Sequence, residues 1–266
     1  MSIRVLTQNS NYEIYALRFT PILNAPLSFF ATNVKNSKDS IQVCFMFWLI
    51  KADNNKNILV DAGYLRDYAD SNMKNFVRPD SMLLNLGIQP TAITDIILTH
   101  PHWDHVDGID LFPNAQIWMQ KEDFNYFVGM AWQKGGKHSG FYNRDVHKLI
   151  NVNIAGKLTL IDGDNQELFP GIRAYTGSRH TFNSQYVLVT TEKRNVIIAS
   201  DNIWIYYNLE HLISVPEYGT FDTTAYVQAM KRMKTMVPDS KYIIPGHDAR
   251  IFSVFPRVKD GIVKIL

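Results

Sequence analysis

Apolar positions along the chain fall in short runs separated by polar turns, a pattern of strands with a few helices between them. Val43 to Ile50 and Asn57 to Val60 flank Ala52-Asp53-Asn54-Asn55-Lys56 and predict a hairpin. Asp95 to Leu98 is a short strand that ends at Thr99-His100, and Ala115 to Met119 is another. Lys157 to Ile161 and Ile172 to Tyr175 bracket a polar turn. Tyr186 to Thr190 and Val196 to Ala199 flank Glu192-Lys193-Arg194-Asn195 as a second hairpin, and Tyr242 to Ile244 runs into Pro245-Gly246. Helical spacing appears at Ser81 to Leu86, at Lys121 to Met130 and at Thr223 to Met236. The last carries Tyr226, Val227, Met230, Met233 and Met236 on one face, with Asp222 as N-cap. Strands followed by helices, twice over, predict sheets with helices on their outer faces. No repeat or linker divides residues 1–266, so a single domain is expected.

Composition narrows the function classes. The 266 residues carry a formal net charge of +2 and are 46% hydrophobic and 20% charged. That balance offers no nucleic-acid footprint and no basic membrane patch. No apolar stretch is long enough to span a bilayer. MSIRVLTQNSNYE has no apolar core of a secretion signal, so a cytoplasmic location is expected. The lone Cys44 excludes an intramolecular disulfide and sits in an apolar strand pattern, as inert core.

Chemistry concentrates in Thr99-His100-Pro101-His102-Trp103-Asp104-His105-Val106-Asp107-Gly108. Three imidazoles and a carboxylate within six residues are ligands for a first-row divalent ion, and zinc takes both types. Alternation puts His100 and His102 on one side of an extended chain. A turn at Trp103 then sends Asp104 and His105 elsewhere, so one loop can serve two adjacent metals. Gly108 allows tight backbone packing behind it. His180, Asp201 and His247 each follow an apolar strand, where functional residues collect. Taken singly, His180 and His247 read as local hydrogen bonders, Asp201 as a helix cap and Asp61 as a turn former. The same local role is expected of His138, His147 and His211.

His100-Pro101-His102-Trp103-Asp104-His105 matches H-x-H-x-D-H, and Asp61, His180, Asp201 and His247 follow in matching order across residues 58 to 248. In this the chain resembles the metallo-β-lactamase superfamily. The resemblance implies a four-layer αββα sandwich, in the α+β or α/β class. It implies one metal on His100, His102 and His180, another on Asp104, His105 and His247, Asp201 bridging them, and Asp61 orienting a ligand. Asp201 argues against the zinc β-lactamases, His102 against the flavodiiron proteins, and the 19 residues after His247 against glyoxalase II. No exosite of a tRNA-processing nuclease is evident.

What remains is similar to the acyl-homoserine lactonase branch, with Arg179 where that family usually has glycine and Trp204 where it has a substrate-facing tyrosine. The expected activity is lactone opening by a hydroxide bridging two divalent metals, Zn2+ by preference, with Asp104 and Asp201 as catalytic carboxylates. An aryl phosphotriester or aryl ester hydrolase is the alternative, and a scaffold without turnover a third. The partner is a small lactone or ester; a homodimer is expected by family analogy. Aromatics on Pro21 to Ser37 and Tyr126 to Tyr142, with Phe29, Phe30, Trp132 and Trp204 foremost, either line an acyl pocket or pack on the scaffold.

Overall fold

The computed structural model describes residues 11–21, 23–36, 38–53, 56–65 and 75–266. Most of the leading segment read for a secretion signal, Asn54-Asn55 of the predicted turn, and Ile22 and Ser37 of the first aromatic loop lie outside the described residues.

An eight-stranded mixed sheet runs in the order β14 (Arg257–Lys259), β15 (Ile262–Lys264), β1 (Tyr12–Arg18), β4 (Met46–Ala52), β5 (Asn57–Val60), β6 (Asp95–Ile97), β7 (Gln116–Gln120), β8 (Leu158–Ile161). A five-stranded sheet has β13 (Ile243–Pro245), β12 (Asn195–Ser200), β11 (Gln185–Thr190), β10 (Ile172–Thr176) and β9 (Gln166–Phe169). β2 (Leu23–Pro26) and β3 (Ser40–Val43) form a separate hairpin.

Parity along the strands builds the layers. Ile14, Ala16, Met46, Trp48, Ile50, Ile58, Val60 and Ile97 share one buried cluster with the five-stranded sheet. Their neighbours Tyr15, Leu17, Phe47, Leu49, Leu59 and Ile96 belong to a second cluster, on the other face. There they meet α2 (Pro79–Leu84), α4 (Lys121–Val128) and α5 (Asn143–Ile154) through Leu83, Phe127 and Leu149. A sheet covered on both faces needs apolar residues at successive positions, which is why β4 reads as an unbroken apolar run. The second sheet is covered by α7 (Thr223–Met236), whose Met236 sulfur lies 3.8 Å from the Tyr186 hydroxyl. The Asp222 carboxylate accepts from the amides of Thr224 and Ala225 at 2.9 Å, capping α7 as expected. The result is the αββα sandwich. Among the described residues no helix is long and apolar enough to cross a membrane.

Two expectations need correction, and some elements were missed. The run from Val43 to Ile50 is broken: Val43 ends β3, and β4 begins at Met46. Cys44 and Phe45 leave the ladder because the Cys44 amide donates to the His247 carbonyl at 3.0 Å. Lys157–Ile161 and Ile172–Tyr175 do not bracket a turn. β8 and β10 belong to different sheets, and the connection contains β9. Lastly β1, the β14–β15 pair and α5 were not anticipated, because charged residues interrupt their apolar positions.

Candidate metal centre

The candidate ligands sit where parallel neighbours end, the edge at which open α/β sheets gather ligands. β6 runs out into Thr99 and His100, and β12 into Asp201. β13, parallel to β12, is followed by Gly246 and His247. At His102 the chain is extended, and α3 (Trp103–Val106) then starts with Trp103. The short helix turns Asp104 and His105 away from the pair before them, as the alternation argument requires. Gln185 ties the sheets together at this edge: its amide donates to the Thr99 carbonyl at 2.9 Å and its side chain to the Leu98 carbonyl at 2.7 Å.

Two groups of donor atoms result. In the first, His102 Nδ1 lies 3.1 Å from His100 Nε2 and 2.9 Å from His180 Nε2, which is itself 3.3 Å from Asp201 Oδ2. In the second, His105 Nε2 lies 3.3 Å from Asp104 Oδ2, and His247 Nε2 lies 3.7 Å from that oxygen. Asp201 Oδ1 faces this group, 3.4 Å from His105 Nε2 and 3.1 Å from His247 Nε2. Nitrogens on a tetrahedral zinc ion, with bonds of about 2.05 Å, are ~3.3 Å apart. The observed spacings are close to that. Buried His105 Nε2 and Asp201 Oδ1 have no hydrogen-bond partner among the described residues, which a cation between them would supply. The donor set thus fits two divalent metal ions.

The far side of four of the five rings is also engaged. His105 Nδ1 is 2.8 Å from Asp61 Oδ2, His180 Nδ1 is 2.7 Å from the Gly219 carbonyl and His247 Nδ1 is 3.2 Å from the Cys44 carbonyl. His100 Nδ1 meets Thr99 Oγ1 at 2.9 Å. Such acceptors fix the tautomer and aim the other nitrogen inward. Asp61 is the hub, also accepting from the Thr99 amide at 2.8 Å and from Ser200 Oγ at 2.8 Å. Burial, reinforced by the neighbouring imidazoles, lowers the His100 and His102 pKa values, the latter to about 3. Both therefore stay neutral, the form that binds metal. Burial works against ionisation of Asp201, but His247 and His105 hold its carboxyl well below the usual range.

Backbone strain collects here. Asp61, Arg179 and Ser200 have φ of 62°, 53° and 47°, values that favour glycine. Arg179 therefore keeps the left-handed backbone for which glycine is the ready choice. Gly246 is required by close approach instead: a Cβ there would lie 2.2 Å from Asp201 Oδ1. Gly108 is similar, with a Cβ 2.2 Å from the Ala62 carbonyl oxygen.

The aromatic candidates separate. Trp204 packs against His180, ring centroids 5.5 Å apart, and is covered by Phe29 at 6.2 Å and Phe30 at 5.7 Å. Tyr218, overlooked in the sequence, completes this wall 5.3 Å from Phe29. Trp132 is not part of this wall. It donates to the Phe127 carbonyl at 2.7 Å and stacks on His138. His138, expected to bond only locally, does meet the Ala131 carbonyl but also lines a cavity of about 420 Å³ above His102 and His180. Lys137, Ser139, Phe141, Glu217, Tyr218, Thr220 and Phe221 complete that lining. His211 packs against Tyr207, the rings tilted and their centroids 4.2 Å apart. Thr99, Ser200 and the Gly219 and Cys44 carbonyls gave no sequence signal, since a hydroxyl or a carbonyl is informative only once its neighbour is known.

A four-layer αββα sandwich with two His/Asp clusters sharing one carboxylate at its strand ends defines a class of two-metal protein. The chain belongs to the metallo-beta-lactamase superfamily, whose family model matches residues 44–247. It is similar to an N-acyl homoserine lactonase of a Bacillus species, 30% identical over 181 residues. That match takes in 66% of this chain and 65% of the relative, so it spans less than two thirds of the relative's length. The fold is shared with a quorum-quenching N-acyl homoserine lactone lactonase, with a TM-score of 0.72 and 21% identity over 94% of this chain and 98% of the other. It is shared too with AidC, a dizinc quorum-quenching lactonase solved with a homoserine product, with a TM-score of 0.67 and 20% identity over 91% and 89% of the two chains.

Proposed function

We propose that this protein is a hydrolase that opens the lactone ring of an N-acyl homoserine lactone with two zinc ions bound. The observation that carries the reading is Asp201, whose carboxylate lies between the two donor clusters, Oδ2 3.3 Å from His180 Nε2 and 3.1 Å from His247 Nε2, and Oδ1 3.1 Å from His247 Nε2. The named activity of the Bacillus relative supports the substrate class. His100, His102 and His180 would hold one ion and Asp104, His105 and His247 the other, with Asp201 between them. Imidazole nitrogen and carboxylate oxygen suit zinc, the metal of the AidC structure. Two bound divalent ions supply Lewis acidity toward a carbonyl oxygen and a nucleophilic water at neutral pH.

The chain's own groups do the rest. Asp104 keeps one oxygen free to hold the incoming water and take up its proton. Water adds to the carbonyl carbon, the ring C–O bond breaks, and Asp104 returns the proton to the alkoxide, which leaves a hydroxy acid. Phe29, Phe30, Trp204 and Tyr218 shield the His180 side from bulk water and give the acyl arm an apolar wall. The single free thiol, Cys44, suits a reducing cytoplasm, and a homodimer belongs to the same reading by family analogy.

The test is kcat/KM of zinc-loaded protein on a hexanoyl-homoserine lactone, an aryl ester and an aryl phosphotriester, with metal content measured in parallel. Lactone turnover of ~10⁴ M⁻¹s⁻¹ or more, with the others far slower, supports the assignment. Faster cleavage of the phosphotriester or aryl ester would replace it with the alternative hydrolase. Asp201→Ala should lose metal and turnover together, and undiminished activity in metal-depleted Asp201→Ala protein would refute the two-metal reading.

A further inference from the structure

His180 and Asp201 come from separate segments of the second sheet, and something must fix their spacing. His180 sits in the loop that joins β10 to β11, and Asp201 in the turn after β12. Between the two segments lies the wholly buried Asn202. Its Oδ1 accepts from the Ser178 amide at 3.0 Å, from Ser178 Oγ at 2.9 Å and from Ser184 Oγ at 3.0 Å. One oxygen thus ties both ends of the His180 loop. Ser178 Oγ in turn accepts from the His180 amide at 3.3 Å, so the bonds run from Asn202 to the backbone of the ligand itself. The nitrogen of the same side chain holds the Asp201 turn. Nδ2 donates to the Ala199 carbonyl at 3.0 Å and to the Gln185 carbonyl at 2.7 Å.

An asparagine offers two N–H donors and an oxygen with two lone pairs, and here all of them are engaged. A buried amide is costly unless its bonds are made, and a fully satisfied buried network fixes one geometry. Gly177 shows how closely the loop is drawn in: a Cβ there would lie 3.2 Å from Asn202 Oδ1 and 3.0 Å from the Tyr186 ring. Among the described residues the Asp61 carboxylate bonds His105, Thr99 and Ser200, which leaves the His180 loop to Asn202.

We propose that Asn202 is a positioning residue that sets the spacing of His180 and Asp201. It thereby governs the ion assigned to His100, His102 and His180, separately from the action of Asp61 on the other. This rests on the two-metal reading and adds a residue to it.

The experiment titrates zinc into metal-free unaltered protein, Asn202→Ala and Ser178→Ala, with chelator competition for two dissociation constants. Imidazole-nitrogen NMR assigns each constant to the rings it perturbs. Asn202→Ala should weaken the constant reported by His100, His102 and His180 by about 10–100-fold, the scale for groups that orient ligands. The constant reported by His105 and His247 should stay in place. Ser178→Ala removes one bond to Oδ1 and the link to the His180 amide, so it should weaken the same constant by less. Equal weakening of both constants marks a general structural lesion and overturns the proposal, as do two unchanged constants. If circular dichroism shows that Asn202→Ala does not fold, Ser178→Ala decides by the same criterion. Fewer than two zinc ions on the unaltered protein would sink the two-metal reading and this proposal together. Two ions bound, with no selective loss in the variants, would remove the positioning role alone.

Discussion

Asp61→Asn isolates the groups behind the metal centre from the ligands themselves. The Asp61 carboxylate accepts from His105 Nδ1 and the Thr99 amide at 2.8 Å, and from Ser200 Oγ at 2.8 Å; Thr99 Oγ1 is 2.9 Å from both of its oxygens. Asparagine keeps the shape and tolerates the left-handed backbone at φ 62°. It replaces one acceptor oxygen with a donor, so at least one of these groups faces an NH2. His105 depends on Asp61 directly, whereas His100 reaches it only through Thr99. Loss of such a ring anchor weakens metal binding by about 10–100-fold, or ~1.4–2.7 kcal/mol. The weakening should fall mainly on the ion that the proposed reading assigns to Asp104, His105 and His247. Competition against a chromophoric chelator, resolved into two dissociation constants, measures it. The metal-free variant should also lose ~1–3 kcal/mol of stability through the unsatisfied contact. Two unchanged dissociation constants would refute the assignment of Asp61 as the anchor of this cluster.

Three further outcomes are expected. Gly246→Ala puts a methyl group 2.2 Å from Asp201 Oδ1, so the carboxylate must move; turnover should fall by ~10²-fold or more with lower metal content, measured by kinetics and elemental analysis. Trp204→Phe keeps the metals but shrinks the wall over His180, so KM should rise ~2–10-fold with both ions retained; loss of metal would contradict the wall role. Asp145 is buried, with the Lys148 ammonium 4.0 Å from its Oδ1, and burial together with Asp107 raises its pKa to about 7 against the pull of Lys148. The folded chain then holds this proton while the unfolded chain, with a pKa of ~3.9, has released it. Stability should therefore fall as pH rises from ~4 to ~7, and Asp145→Asn should remove that loss. Melting of the two proteins should coincide near pH 4 and separate by about 1–3 kcal/mol at pH 8; a constant gap would exclude the titration.

Much of the donor set was legible because it is local. Six consecutive residues hold four donors, and extension through His102 followed by a helical start at Trp103 divides them by chain geometry alone. His180, Asp201 and His247 were legible as polar residues ending apolar strands. Their convergence was not, since it needs β12 and β13 to be parallel and the two sheets to meet at Gln185. Likewise Lys157–Ile161 and Ile172–Tyr175 have the periodicity of a hairpin, yet join different sheets, because local alternation carries no information on partner choice.

By itself the sequence determined the alternating strands, the capped α7, the dense His/Asp loop and the superfamily they imply, all properties of spacing within a few residues. Only the tertiary structure decided that the Asp201 carboxylate lies between the two clusters and that Asp61 anchors His105. It likewise decided that Tyr218 and Phe29 share a wall with Trp204, and that Lys137 and Glu217 face one cavity. Those relations join residues up to 189 positions apart, as between Phe29 and Tyr218. They are set by how two sheets pack face to face, which no local pattern records.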